Sequence, residues 1–84
     1  MTYRIEVKPA ARRAMKGLPR QVLERIDVAI LGLATEPRPS GSIKMTNCEA
    51  WRVRVGDYRI VYEIHDAVLV VFIIDVGHRR EVYR

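Results

Sequence analysis

Residues 2–7 alternate, with Tyr3, Ile5 and Val7 set against Thr2, Arg4 and Glu6, a period that predicts a half-buried strand. From Lys8-Pro9 onward the apolar positions fall at helical spacing. Ala11, Ala14, Met15 and Leu18 form one stripe, and Lys8, Arg12, Arg13 and Lys16 occupy the other face. Pro9 suits a first helical turn, where its missing N–H costs nothing. Gly17-Leu18-Pro19 ends this helix and starts a second over about residues 20–35, with Val22, Ile26, Ala29, Ile30 and Leu33 on one side. The short link between them predicts an antiparallel helical hairpin. Pro37, Pro39 and Gly41 mark residues 36–42 as a loop, and residues 42–45 predict a brief edge strand that Thr46-Asn47 ends. Period two returns over residues 51–55 and 58–64, His65-Asp66 reads as a turn, and residues 68–74 carry no polar position. A strand of that last kind needs cover on both faces and belongs in a sheet interior. Residues 75–84 are charged and read as extended or irregular. The order βααβββ, with or without the strand near residue 42, predicts an α+β fold in a single domain over residues 1–84. It has an N-terminal strand, a helical hairpin on one sheet face, and a three- to four-stranded, mainly antiparallel sheet.

The two alternating segments around Gly56-Asp57 allow a finer reading. A two-residue Gly-X loop is the signal of a type II′ hairpin, and its register follows by counting outward. Val55 then faces Tyr58, Arg54 faces Arg59, Val53 faces Ile60 and Arg52 faces Val61. Side chains alternate, so Trp51, Val53, Val55, Tyr58, Ile60 and Tyr62 share one surface, and Arg52, Arg54 and Arg59 share the other. Like charges directly opposed across an antiparallel pair destabilise it. A ladder that sets Arg54 against Arg59, with Arg52 diagonally near, points to an anionic ligand. The bland alternative is an exposed face neutralised by Glu63 and Asp75.

Composition narrows the setting. Nearly half of the 84 residues are hydrophobic, which argues against disorder, and no stretch approaches the roughly 20 apolar residues of a spanning helix. The N-terminus alternates and lacks the basic-then-apolar layout of a signal peptide. Cys48 is the one cysteine, so no internal disulfide forms, as fits a reducing cytoplasm, and it reads as a small structural residue. Neither His65 nor His78 has a second ligand at metal spacing. The net charge of +5 and pI near 9.9 suggest a polyanionic partner, an acidic protein partner, or both. Arg79 and Arg80 follow Gly77 just past the apolar strand. The basic face of the first helix reads as a solvated surface, with phosphate tracking as the sharper alternative. Tyr83 is either a terminal aromatic packed on the sheet or, among cations that favour phenolate, an acid/base group. His78 titrates in a range suited to proton transfer.

The runs DYRIVYEI and DVGHRREVY, in that order and separation, resemble the RelE/ParE superfamily of bacterial and archaeal toxins, and the likeness spans the whole chain. The resemblance implies a toxin neutralised by a cognate antitoxin. In the RelE branch it implies an mRNA interferase that enters the ribosomal A site and cuts the codon there. The RNA 2′-hydroxyl attacks the adjacent phosphate, leaving a 2′,3′-cyclic phosphate and a 5′-hydroxyl, with no metal or organic cofactor. On this pattern Arg59 and Arg79 take phosphate binding and transition-state charge, and Tyr83 takes base stacking or proton transfer. Arg54 joins that catalytic set, and Arg52, Arg54, His78 and Arg80 contact RNA. Arg52 and Arg54 fall where the RelE branch often carries lysines, and an arginine stays protonated where a lysine could act as a base. Expected partners are the antitoxin, the ribosome and mRNA, with no membrane. Two other readings stand beside this one: a ParE-like inhibitor of DNA gyrase, and a non-catalytic RNA-binding domain.

Overall fold

The structure, a computed structural model, describes residues 2–46 and 48–78. Its elements run β1 (Arg4–Val7), α1 (Pro9–Lys16), α2 (Arg20–Thr35), β2 (Ile43–Lys44), β3 (Ala50–Val55), β4 (Tyr58–His65), a 3-10 turn (Asp66–Val68) and β5 (Val70–His78). They build one five-stranded sheet in the order β1-β5-β4-β3-β2, with both helices on one face. All pairings are antiparallel except that of β1 with β5. No helix among the described residues is long and apolar enough to cross a membrane.

The helices follow the periodicity. Pro9 opens α1 after an extended Lys8, whose carbonyl accepts the Arg12 amide at 2.9 Å. At the other end the Gly17 amide turns back to the Ala14 carbonyl at 3.3 Å. Buried Ala11, with half-buried Met15 and Leu18, holds α1 mainly on β5. Ile26, Ile30 and Leu33 are the buried stripe of α2, which lies across β1, β3 and β5. Beneath them lie Ile60, Tyr62, Val71, Ile73 and Val76 from β4 and β5.

Three strand boundaries differ from the sequence expectation by two residues or more. β1 starts at Arg4 rather than residue 2, because the Tyr3 amide donates to Ala34 at the end of α2 (2.7 Å) and the Arg4 amide reaches Leu69 (2.8 Å). β5 starts at Val70 because Asp66–Val68 coils into the 3-10 turn, left through Leu69 in a left-handed conformation (φ 55°). It also runs on to His78. Val61 pairs with Asp75 but Tyr62 with Ile73, so Ile74 is an extra residue in a β-bulge. The bulge turns Asp75 to the open face and returns Val76 to the core, where it is almost wholly buried. A charged residue at 75 therefore does not end the strand.

Candidate anion-binding site

The hairpin register is the one that counting predicts. Arg54 lies opposite Arg59, Arg52 opposite Val61 and Val55 opposite Tyr58. Gly56 occupies the first turn position at φ +61°, a value that glycine adopts without steric cost. Arg52, Arg54 and Arg59 consequently converge on the sheet face away from the helices. With Gly41 and Ile43 they line a cavity of about 220 Å³.

Their environments differ. Arg54 is exposed, Arg52 is half-buried, and Arg59 is only 3% exposed. β4 is the middle strand, so an Arg59 side chain has neighbours from β3 and β5 on either side. Across the ladder from it on β5 stands Gly77, which has no side chain to compete for that space. A buried guanidinium at the floor and an exposed one at the rim suit an anion whose charge enters from solvent. Guanidinium forks match phosphate oxygens in pairs. The two acids expected on this face also make local contacts. Glu63 sits 3.0 Å from His65 Nε2, and Asp75 Oδ1 accepts the Val76 amide at 2.9 Å.

The wall opposite β4 comes from the Pro-rich loop, and a set of contacts invisible to periodicity holds it there. Buried Tyr62 donates its hydroxyl to the Pro37 carbonyl at 2.9 Å, and desolvation pushes that phenol above its ordinary range. Arg38 lies 5.3 Å from the centre of the Trp51 ring and grips Asp66 with both terminal nitrogens (2.9 and 3.4 Å). Tyr3 donates to the same carboxylate at 2.6 Å. Hydrogen bonds from Arg38 and then Tyr3 hold Asp66 below the usual carboxylate range. Sequence reasoning set Tyr3 in a strand and Asp66 in a turn and gave Arg38 no role; that the three meet had no local signal, because they lie far apart in sequence.

His78 is placed elsewhere. It pairs with Tyr58 and meets that ring edge-on at 5.5 Å, beside Leu18 and Pro19, on the helix side of the sheet. The structure thus unites Arg52, Arg54 and Arg59 and separates His78 from them. Arg79, Arg80 and Tyr83 lie outside the described residues. Among the described residues no three His, Cys, Asp or Glu side chains gather as a metal ion would need.

Residues 5–83 match the family model described as the ParE toxin of the type II toxin-antitoxin system parDE. The chain belongs to the ParE toxin family. It is similar to toxin RelG of Mycobacterium tuberculosis, at 31% identity over all of this chain and 99% of the relative. It is also similar to the Escherichia coli mRNA interferase toxin RelE, at 30% identity over 99% and 92% of the two chains. The fold agrees with the archaeal RelE in the RelE-RelB complex of Pyrococcus horikoshii. That match has a TM-score of 0.83 at 28% identity and covers 94% of this chain and 97% of the other. The family match continues past His78 and so takes in Arg79, Arg80 and, at its last position, Tyr83.

Proposed function

We propose that this member of the ParE toxin family is the toxin of a type II toxin-antitoxin pair and acts as an mRNA interferase, cutting codons in the ribosomal A site. The observation that carries the reading is the convergence of Arg52, Arg54 and buried Arg59 on one cavity. Similarity to a RelE named as an mRNA interferase supports it along nearly the whole chain.

The reaction is attack of an RNA 2′-hydroxyl on the adjacent phosphorus, expelling the 5′-oxygen and leaving a 2′,3′-cyclic phosphate. It needs the phosphate held in line and its growing negative charge met by fixed donors. Arg59 fills that role from the cavity floor, with Arg79 as its second cation. Arg52 and Arg54 bind the flanking backbone from the rim, and Arg80 adds to that charge. Guanidinium groups stay protonated at any working pH, so they stabilise charge rather than remove protons. Proton transfer and base stacking then fall to Tyr83, while His78, on the helix side of the sheet, lies outside the arginine cavity and is not counted among the RNA contacts. A cognate antitoxin with an acidic segment would neutralise the arginine face, and the cytoplasm, where ribosomes and mRNA meet, is the place of action.

Primer extension on a message in reconstituted translation tests this. Wild type should cut within A-site codons only when ribosomes are present. Arg59→Ala should lose about 100- to 1000-fold in cleavage rate, the usual effect of deleting one transition-state donor. Tyr83→Phe should slow cutting without moving its position. Circular dichroism melts of each variant separate lost chemistry from lost fold. Intact message in the wild-type lane overturns the reading, and inhibition of gyrase supercoiling by the same sample would establish the ParE-like alternative.

A further inference from the structure

A second groove adjoins the arginine cavity. About 530 Å³ of space lies between α2 and the end of β3, lined by Arg54 and Gly56 on one side and Gln21, Arg25 and Val28 on the other. Arg54 borders both this groove and the cavity above Arg59, so the two are contiguous through one side chain. β2 pairs only with Trp51 and Arg52, which leaves the β3 segment beyond them without that cover.

Arg25 is held in this groove by shape. Its terminal nitrogens lie 3.1 and 3.3 Å from where a Cβ would stand on Gly56, so the guanidinium rests against the turn where glycine leaves room. Among the described residues, neither Arg25 nor Arg54 forms an ion pair or a side-chain hydrogen bond. Glu24, on the same wall, lies 3.6 Å from Arg20, one turn back along α2. Asp57 borders a smaller cavity with Arg25 on the far side of the turn, without an ion pair to it. Two guanidinium groups therefore face one open groove whose lining acid, Glu24, is paired with Arg20 rather than with either of them. That arrangement raises the local affinity for anions.

We propose that this groove is a second backbone subsite: it takes the RNA phosphate next to the one held above Arg59, with Arg25 and Arg54 on its oxygens and the nucleoside against Val28. The inference rests on the mRNA-interferase reading for the identity of the ligand, and it adds Arg25 as a substrate-positioning residue on a helix. RNA is favoured over an acidic peptide because Arg54 makes the groove continuous with the reacting site.

The test uses a single-stranded 2′-O-methyl RNA nonamer, which lacks the attacking hydroxyl and so reports binding alone. Its affinity is followed by fluorescence anisotropy between about 50 and 200 mM NaCl. Losing one phosphate contact should make the slope of log K against log salt shallower by about 0.7 and weaken binding about fivefold at 0.1 M salt. Arg25→Gln should show both changes, and Arg25→Lys, which keeps the charge, should restore the slope. On ribosomes Arg25→Gln should raise KM while leaving kcat and the cut position unchanged. An unchanged slope in Arg25→Gln, or wild type that does not bind the oligonucleotide, overturns the subsite. So does a variant that loses only affinity for an acidic antitoxin peptide, which would assign the groove to that partner. If wild type cuts no message, the functional reading fails on its own, while the nonamer slope still decides this inference.

Discussion

Arg54 and Arg59 face each other directly across the β3–β4 ladder, and no described acid bridges Arg54. Such a pair costs roughly 0.2–1 kcal/mol relative to a neutral one. The exposure of Arg54 keeps it at the low end of that range. Arg54→Thr removes the repulsion and places a β-branched residue in the strand. The expected result is a gain of about 0.5 kcal/mol in urea unfolding at low salt, shrinking toward 1 M salt as the screening length falls to about 3 Å. Message cleavage by the same variant should fall. A loss of stability at low salt would show that Arg54 is a structural residue instead. Gly56 belongs to the same scale, since one glycine both closes the turn at φ +61° and leaves space for Arg25.

Among elements, the decisive link is the staple that ties β1, the Pro-rich loop and the β4–β5 turn through Tyr3, Arg38 and Asp66. Asp66 has a folded-state pKa below its ordinary 3.8 because Arg38, then Tyr3, bond to the ionised carboxylate. A depressed carboxylate contributes stability that is present above the unfolded pKa and is lost as pH falls through the folded value. Asp66→Asn should therefore lower the urea midpoint at pH 6 and converge with wild type as pH falls below the depressed folded-state pKa. Equal midpoints at pH 6 would mean that the staple adds nothing. On the alkaline side the Tyr3 phenol is raised above 10.0, chiefly by its hydrogen bond to Asp66. Its share is present below pH 10 and fades as pH rises through that folded value. The staple also bears on function, since it places the loop that carries Gly41 and leads into Ile43 of β2, both of which wall the arginine cavity.

For the molecule as a whole, the sheet separates two tasks. One face carries the helices and the core; the other carries the arginines. An 84-residue chain has roughly 4–13 kcal/mol of total stability at about 0.05–0.15 kcal/mol per residue. Ile26 is fully buried on the inner face of α2, so Ile26→Ala should remove about 2–5 kcal/mol, a large part of the whole. Leu31, on the outer face of the same helix and 68% exposed, should cost less than about 0.5 kcal/mol when cut to alanine. Guanidinium denaturation of the two variants checks the contrast, and comparable losses would mean that the outer face of α2 is not free.

What the sequence determined by itself is whatever depends on near neighbours. A 3.6-residue period between Pro19 and Pro37 sets α2 at Arg20–Thr35. A two-residue glycine turn sets the β3–β4 register, and with it the face shared by Arg52, Arg54 and Arg59. The motifs DYRIVYEI and DVGHRREVY pointed to the toxin superfamily, which the family match bears out. Only the tertiary structure decided the rest, because it depends on residues far apart in sequence. Parallel pairing of Arg4 with Val70 joins the two ends of the fold. The bulge at Ile74 carries β5 past Asp75, where a charged residue read as the end of the strand. Burial separates Arg59 from Arg54 although both lie on one face, since β4 is the middle strand and Arg54 lies near the end of β3, beyond the cover of β2. His78 follows the bulge to the helix side. Local periodicity encodes which way a side chain points; only the packed chain settles what it meets there.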